Sequence, residues 1–178
     1  MTTVHPAVVL GPMLPGQAVS STMGLLKQLL DGAVVPSTFG LCSAADVAAV
    51  HVAGLRDAET AGGRYLVCSR DGPRGTQPTG RACPKIRPLQ KRSRFGFRTG
   101  DQYSTLEIVQ MVKAGAPEAA TAIDLDAWLA DEKVQKMTPK KPATDNRKAR
   151  ALLAVGDLEA PEKFVCEAAR SLHERAAA

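Results

Sequence analysis

Apolar positions along this chain follow two patterns, short unbroken runs and stretches with helical spacing. Residues 4–10 form a mostly apolar run closed by Gly11 and Pro12, which predicts a buried strand and its turn. Ser20 or Ser21 then caps a helix whose apolar face is Met23, Leu26, Leu29 and Leu30 and which ends at Gly32. Ser43-Ala-Ala-Asp46 has the form of a capping box, followed by Val47, Val50, Ala53 and Gly54 on one face until Asp57. A Gly-Gly turn precedes a second strand at residues 64–68. Further on, Ser104-Thr-Leu-Glu107 is another capping box, opening a helix through Val109 and Val112 that stops near Gly115. Residues 124–135 and 145–153 read as shorter helices. Pro161 suits the first turn of a last amphipathic helix carrying Phe164, Val165, Ala168 and Leu172. Strands alternating with helices predict an α/β chain.

One stretch breaks the pattern. Residues 70–98 hold nine basic side chains (Arg70, Arg74, Arg81, Lys85, Arg87, Lys91, Arg92, Arg94, Arg98) against the single acid Asp71. The formal net charge of +5 is therefore concentrated there, and the rest of the chain is slightly acidic. The same stretch is rich in Gly and Pro and lacks apolar periodicity, so residues 70–102 are expected to form a long, disordered, solvated loop. An alternative use of residues 70–98 is binding of nucleic acid or another acidic partner, with Phe95 and Phe97 stacking on bases.

The 178 residues suit one domain, and 44% hydrophobic residues suffice for a core. Residues 1–26 carry no Asp, Glu, Lys or Arg, yet Pro6, Pro12 and Pro15 break any helix and no basic start is present. A membrane span and a secretory signal are both argued against, and a soluble, cytoplasmic protein is expected. Cys42, Cys68, Cys83 and Cys166 are widely spaced, indicating neither a disulfide scaffold nor a zinc module.

The search for catalytic constellations returns little. No G-x-G-x-x-G follows a strand. The segment 75–82 copies the spacing of a phosphate-binding loop but lacks its Lys and Ser/Thr. Neither Tyr65 nor Tyr103 has a Lys four residues on, the spacing that lets an ammonium lower a phenol's pKa. His51 is expected to pack or hydrogen-bond, and His173 to lie on the surface. No catalytic residue and no metal ligand is assigned.

Several motifs in order carry a resemblance. Val4-His-Pro-Ala-Val-Val-Leu-Gly-Pro12 with Ser20-Ser21-Thr22 and a Leu-rich helix is similar to the C-terminal half of extended short-chain dehydrogenase/reductases. Asp46-Val-Ala-Ala-Val-His51 resembles that family's D-V-A-x-A-H helix, Gly63-Arg-Tyr-Leu66 its G-R-Y-L strand, and Thr144-Asp-Asn-Arg-Lys-Ala-Arg150 its late N-x-K helix start. The nearest look is to the cinnamoyl-CoA and dihydroflavonol reductases. The resemblance implies the C-terminal part of a Rossmann-like NAD(P)-binding fold, with last Rossmann strands and substrate-domain helices in residues 1–69, the basic insert in 70–102 and a helical substrate-domain part in 103–178. It also implies NADP or NAD as cofactor and a small-molecule carbonyl or thioester as substrate. Pro6, Ala7, Val8 and Val9 then line the nicotinamide, with Ser20 and Ser21 as further cofactor contacts. The family's Gly-rich loop and Tyr-x-x-x-Lys pair fall upstream of the strand at Val4, so a fragment inactive alone is expected. His5 stands where the family usually has Asn.

Overall fold

The computed structural model describes residues 1–69, 102–136, 147–153 and 158–177. The basic segment 70–98, the phosphate-loop mimic and residues 144–146 of the late helix motif lie outside the described residues.

The single strand expected over residues 4–10 is two strands, β1 (Thr3–Pro6) and β2 (Val8–Leu10), separated at Ala7. Each pairs in parallel with a different partner. β1 runs beside β5 (Arg64–Val67) with Thr3 opposite Arg64, and β2 runs beside β4 (Leu41–Ser43) with Val8 opposite Leu41. The change of partner takes one residue: the Ala7 N–H donates to the Val67 carbonyl at 3.0 Å and the Val8 N–H to the Gly40 carbonyl at 2.9 Å. Periodicity in a short apolar run reports burial and is blind to which neighbour takes each hydrogen bond. A third pair, antiparallel β3 (Thr38–Phe39) with β6 (Tyr103–Ser104), was not expected. It is fastened by Thr105, fully buried, whose hydroxyl donates to the Val35 carbonyl at 2.7 Å and whose N–H donates to Ser37 at 3.0 Å.

Helix ends follow the side chains that satisfy their unpaired amides. α1 (Ser21–Leu30) starts where the Ser20 hydroxyl accepts from the Met23 N–H. It ends at Gly32, φ +89°, where the Gly32 N–H donates to Leu29 and the Ala33 N–H to Gln28, a Schellman arrangement. α2 (Ala44–Arg56) is capped by Ser43, and α3 (Thr105–Gly115) opens on a complete capping box between Ser104 and Glu107. The helix expected over residues 124–135 is broken. Asp131 is extended and its carboxylate accepts from the Lys133 and Val134 amides, separating α4 (Leu125–Ala130) from α5 (Glu132–Gln135). α6 (Arg147–Leu152) and α7 (Pro161–Ala177) complete the chain.

Two apolar clusters hold these elements. The larger joins Leu10 and Leu41 to Met23, Leu26 and Leu29 of α1, Val109 and Val112 of α3, Trp128, and Phe164 and Val165 of α7, so both sides of residue 70 contribute to it. The smaller packs Cys42, Val50, Val67, Ala149 and Leu158 with Val4, Ala7, Val9 and Tyr65. Each fully buried aliphatic or aromatic side chain here stabilises by about 1.5–3 kcal/mol. Among the described residues no helix is long and apolar enough to cross a membrane.

Candidate functional site

In sheets of parallel strands, ligands collect beyond the carboxyl ends of the strands, where neighbouring connections diverge. The exchange at Ala7 is such a place. Pro6 is exposed; Ala7, Val8 and Val9 are half-buried. The Val8 side chain packs on the larger cluster, whereas Ala7 and Val9 pack on the smaller. What this segment offers outward is therefore the Pro6 ring and backbone, an apolar ledge of the kind that suits a flat aromatic ring. Beyond Leu10 the turn lies tight on α2, since a Cβ on Gly11 would sit 3.1 Å from the Cβ of Ala44.

α1 packs against β2. Ser20 and Ser21 are both exposed. The Ser20 hydroxyl is engaged as the cap, 3.3 Å from the Met23 nitrogen, and the first turn of α1 carries no acidic residue. The connection between strand and helix is tied to α7: the Met13 N–H donates to Ser171 Oγ at 3.1 Å, and the Arg175 guanidinium donates to the Gln17 carbonyl.

Titratable groups near the ledge are few. The Cys42 thiol donates to the Val8 carbonyl at 3.8 Å, and burial, helped by neighbouring Cys68, pushes its pKa up to about 12, so it is a packed thiol and no nucleophile. His5 Nε2 is buried without a hydrogen-bond partner. Nothing in the sequence signals either fact. His51 is exposed and its Nδ1 lies 2.7 Å from the Val47 carbonyl, the local hydrogen-bonding role expected of it; His173 is on the surface as expected. Among the described residues no group of three His, Cys, Asp or Glu side chains could hold a metal ion. Pro6, Ala7, Val8 and Val9 carry only apolar side chains. No basic side chain belongs to this set, so it offers nothing to neutralise a pyrophosphate.

No family model and no curated protein matches the chain. Solved structures do. The chain superposes on yeast methylglyoxal/isovaleraldehyde reductase Gre2 complexed with NADPH with a TM-score of 0.66 at 16% identity, over 99% of this chain and 44% of that one. The corresponding figures for Gre2 from Candida albicans with NADPH are 0.63, 14%, 97% and 43%. For UDP-glucuronic acid 4-epimerase from Bacillus cereus, in complex with UDP-glucuronic acid and NAD, they are 0.51, 16%, 98% and 45%. The chain thus has the α/β fold of part of these Rossmann-like, dinucleotide-bound proteins, and it spans less than half of their length.

Proposed function

We propose that this chain carries part of an NAD(P)-dependent oxidoreductase of the extended short-chain dehydrogenase/reductase type, acting on carbonyl or CH–OH groups and similar to the cinnamoyl-CoA and dihydroflavonol reductases. The observation that supports it best is superposition of nearly the whole chain on NADPH-bound reductases, with Pro6 at the carboxyl end of the parallel strand β1 and Val8 and Val9 opening β2. In this reading Pro6, Ala7, Val8 and Val9 back the nicotinamide through their main chain, while the Ser21 hydroxyl and the first amides of α1 face the cofactor's phosphate side. A bound nicotinamide supplies the hydride. The groups of this chain orient it and keep water from one face. The Gly-rich loop and the Tyr-x-x-x-Lys pair are not in these 178 residues, so the chain by itself binds the cofactor weakly and turns over no cinnamoyl-CoA or dihydroflavonol. The same reading places the chain in the cytoplasm.

The test is an NMR titration with NADPH. Expected are small, saturable shifts of the Ala7, Val8, Val9, Ser20 and Ser21 amides. Val8→Asp is unsuited to it, because that side chain packs on the core. Ser21→Asp is suited: a carboxylate in the first turn stabilises α1 by about 0.3–1 kcal/mol while repelling phosphate. Tight NADPH binding, shifts confined to other residues, or binding unaffected by Ser21→Asp would each overturn the assignment.

A further inference from the structure

The connection between β2 and α1 is ordered without a core of its own. Its ends are fixed, Leu10 in the larger cluster and Ser20 as the cap of α1. Residues 14–20 between them are all exposed, so apolar burial does not hold them, and ordering them costs conformational entropy that other contacts must offset. Part of that order is local. The Gln17 N–H donates to the Leu14 carbonyl at 3.1 Å, and the Leu14 N–H donates to Gln17 Oε1 at 3.0 Å. Pro15 and Gly16, φ +75°, suit the two central positions of a type II turn.

This turn is then fastened to α7 at two residues one helical turn apart. Ser171 Oγ gives its proton to the Ala168 carbonyl at 2.9 Å, which leaves a lone pair to accept from the Met13 N–H at 3.1 Å. Arg175 donates to the Gln17 carbonyl, a charge-assisted bond. α7 gives both a rigid base, because Ala168, Ala169 and Leu172 are buried in the larger cluster. α1 is seated separately by Met23, Leu26 and Leu29. What the two ties decide is therefore the arrangement of the connection itself.

We propose that Ser171 and Arg175 are positioning residues, which from the last helix hold the connection ahead of Ser20 and Ser21 in one arrangement before any ligand arrives. The consequence for binding rests on the cofactor reading: a connection already ordered in the free chain loses no further freedom when NADPH binds. Loosening it should then weaken NADPH binding, although neither side chain is assigned a contact with the cofactor.

The test compares the whole chain with Ser171→Ala/Arg175→Met and with Arg175→Lys, which keeps a charged donor. Without ligand, amide order parameters over residues 14–19 should be about 0.8 in the original chain and below about 0.6 in the double variant. Those of α1 and α7 and the urea midpoint should stay the same, and Arg175→Lys should restore most of the order. In NMR titration the double variant should bind NADPH about three- to tenfold more weakly. Equal order over residues 14–19 in the double variant, loss of order spreading through α1 and α7, or failure of Arg175→Lys to restore it would each overturn the proposal. Unchanged NADPH affinity in a chain with a loosened connection would overturn the positioning role. If NADPH moves no amide of the original chain, the cofactor reading falls and the positioning role with it; that failure is told apart from failure of the ties by the order parameters, which need no NADPH.

Discussion

Replacing Gly32 by alanine should be among the most damaging single-methyl additions in the protein. Gly32 closes α1 with φ +89°, and a Cβ there would lie 2.7 Å from the Ala122 carbonyl oxygen, a main-chain atom that cannot rotate away. The left-handed conformation costs an L-residue about 1–2 kcal/mol. Forcing the added carbon against fixed backbone costs about 1–3 kcal/mol more. The sum, about 2–5 kcal/mol, is a large share of the 5–15 kcal/mol typical of a domain. Two glycines separate the contributions. Gly16 has φ +75° with nothing within 4 Å of its virtual Cβ, so Gly16→Ala should lose only the conformational part. Gly24 lies inside α1 in open space, so Gly24→Ala should gain about 0.5–1 kcal/mol. Urea unfolding of the three variants, with unchanged slopes, measures all of this. If Gly32→Ala and Gly16→Ala agreed within about 0.5 kcal/mol, close approach to Ala122 would not be what makes Gly32 costly to change.

Three shorter predictions accompany it. Ser104→Ala removes the acceptor for the Glu107 amide and should cost about 1 kcal/mol by thermal unfolding; no loss would show that water replaces the cap. The Lys163 ammonium, hydrogen-bonded at 2.5 Å, holds the Glu159 carboxyl below its ordinary pKa, so the contact stabilises above that value and fades as pH falls through it. Glu159→Gln should then flatten the loss of stability between neutral pH and about pH 3, by less than about 1 kcal/mol, and an unchanged acid limb would refute it. Cys42, buried with its thiol pushed to about 12, should resist iodoacetamide at mildly alkaline pH until urea unfolds the chain, as read by peptide mass spectrometry; prompt labelling of Cys42 in the native chain would contradict its burial.

Helix termini were the most legible part of this sequence. Ser20, Ser43 and Ser104 cap helices in the way their spacing implies, and Pro161 begins α7, because a capping hydroxyl or a missing N–H acts on neighbours two or three residues away. Tertiary hydrogen bonds carry no such local mark. The division of residues 4–10 at Ala7 depends on Gly40 and Val67, and the β3–β6 pair is two residues long on each side, too short for any period. Asp131 could have been read as a second cap, but an acidic residue within an apolar spacing also suits the solvent face of one continuous helix. For the candidate site, motif order led to residues 6–9 and to Ser20 and Ser21, whereas the packing of α1 against β2 has no local mark in the sequence. That the Val8 side chain points inward and that His5 Nε2 is buried alone depend on packing from distant segments.

The switch of partner at Ala7 also sets the order in which this protein can assemble. Closing β2 on β4 joins a moderate loop that contains α1, whereas closing β1 on β5 spans α2 as well, and the larger loop carries the larger entropic cost. The shorter closure is favoured by about 0.6 kcal/mol for a loop half as long, and it seats Leu10 and Leu41 among the α1 leucines. The expected order is therefore β2 on β4 first, with β5 then pairing along Thr3–Pro6. Folding speed should accordingly respond to changes at Val8 and Leu10, and the rate of unfolding to changes at Val4 and Leu66.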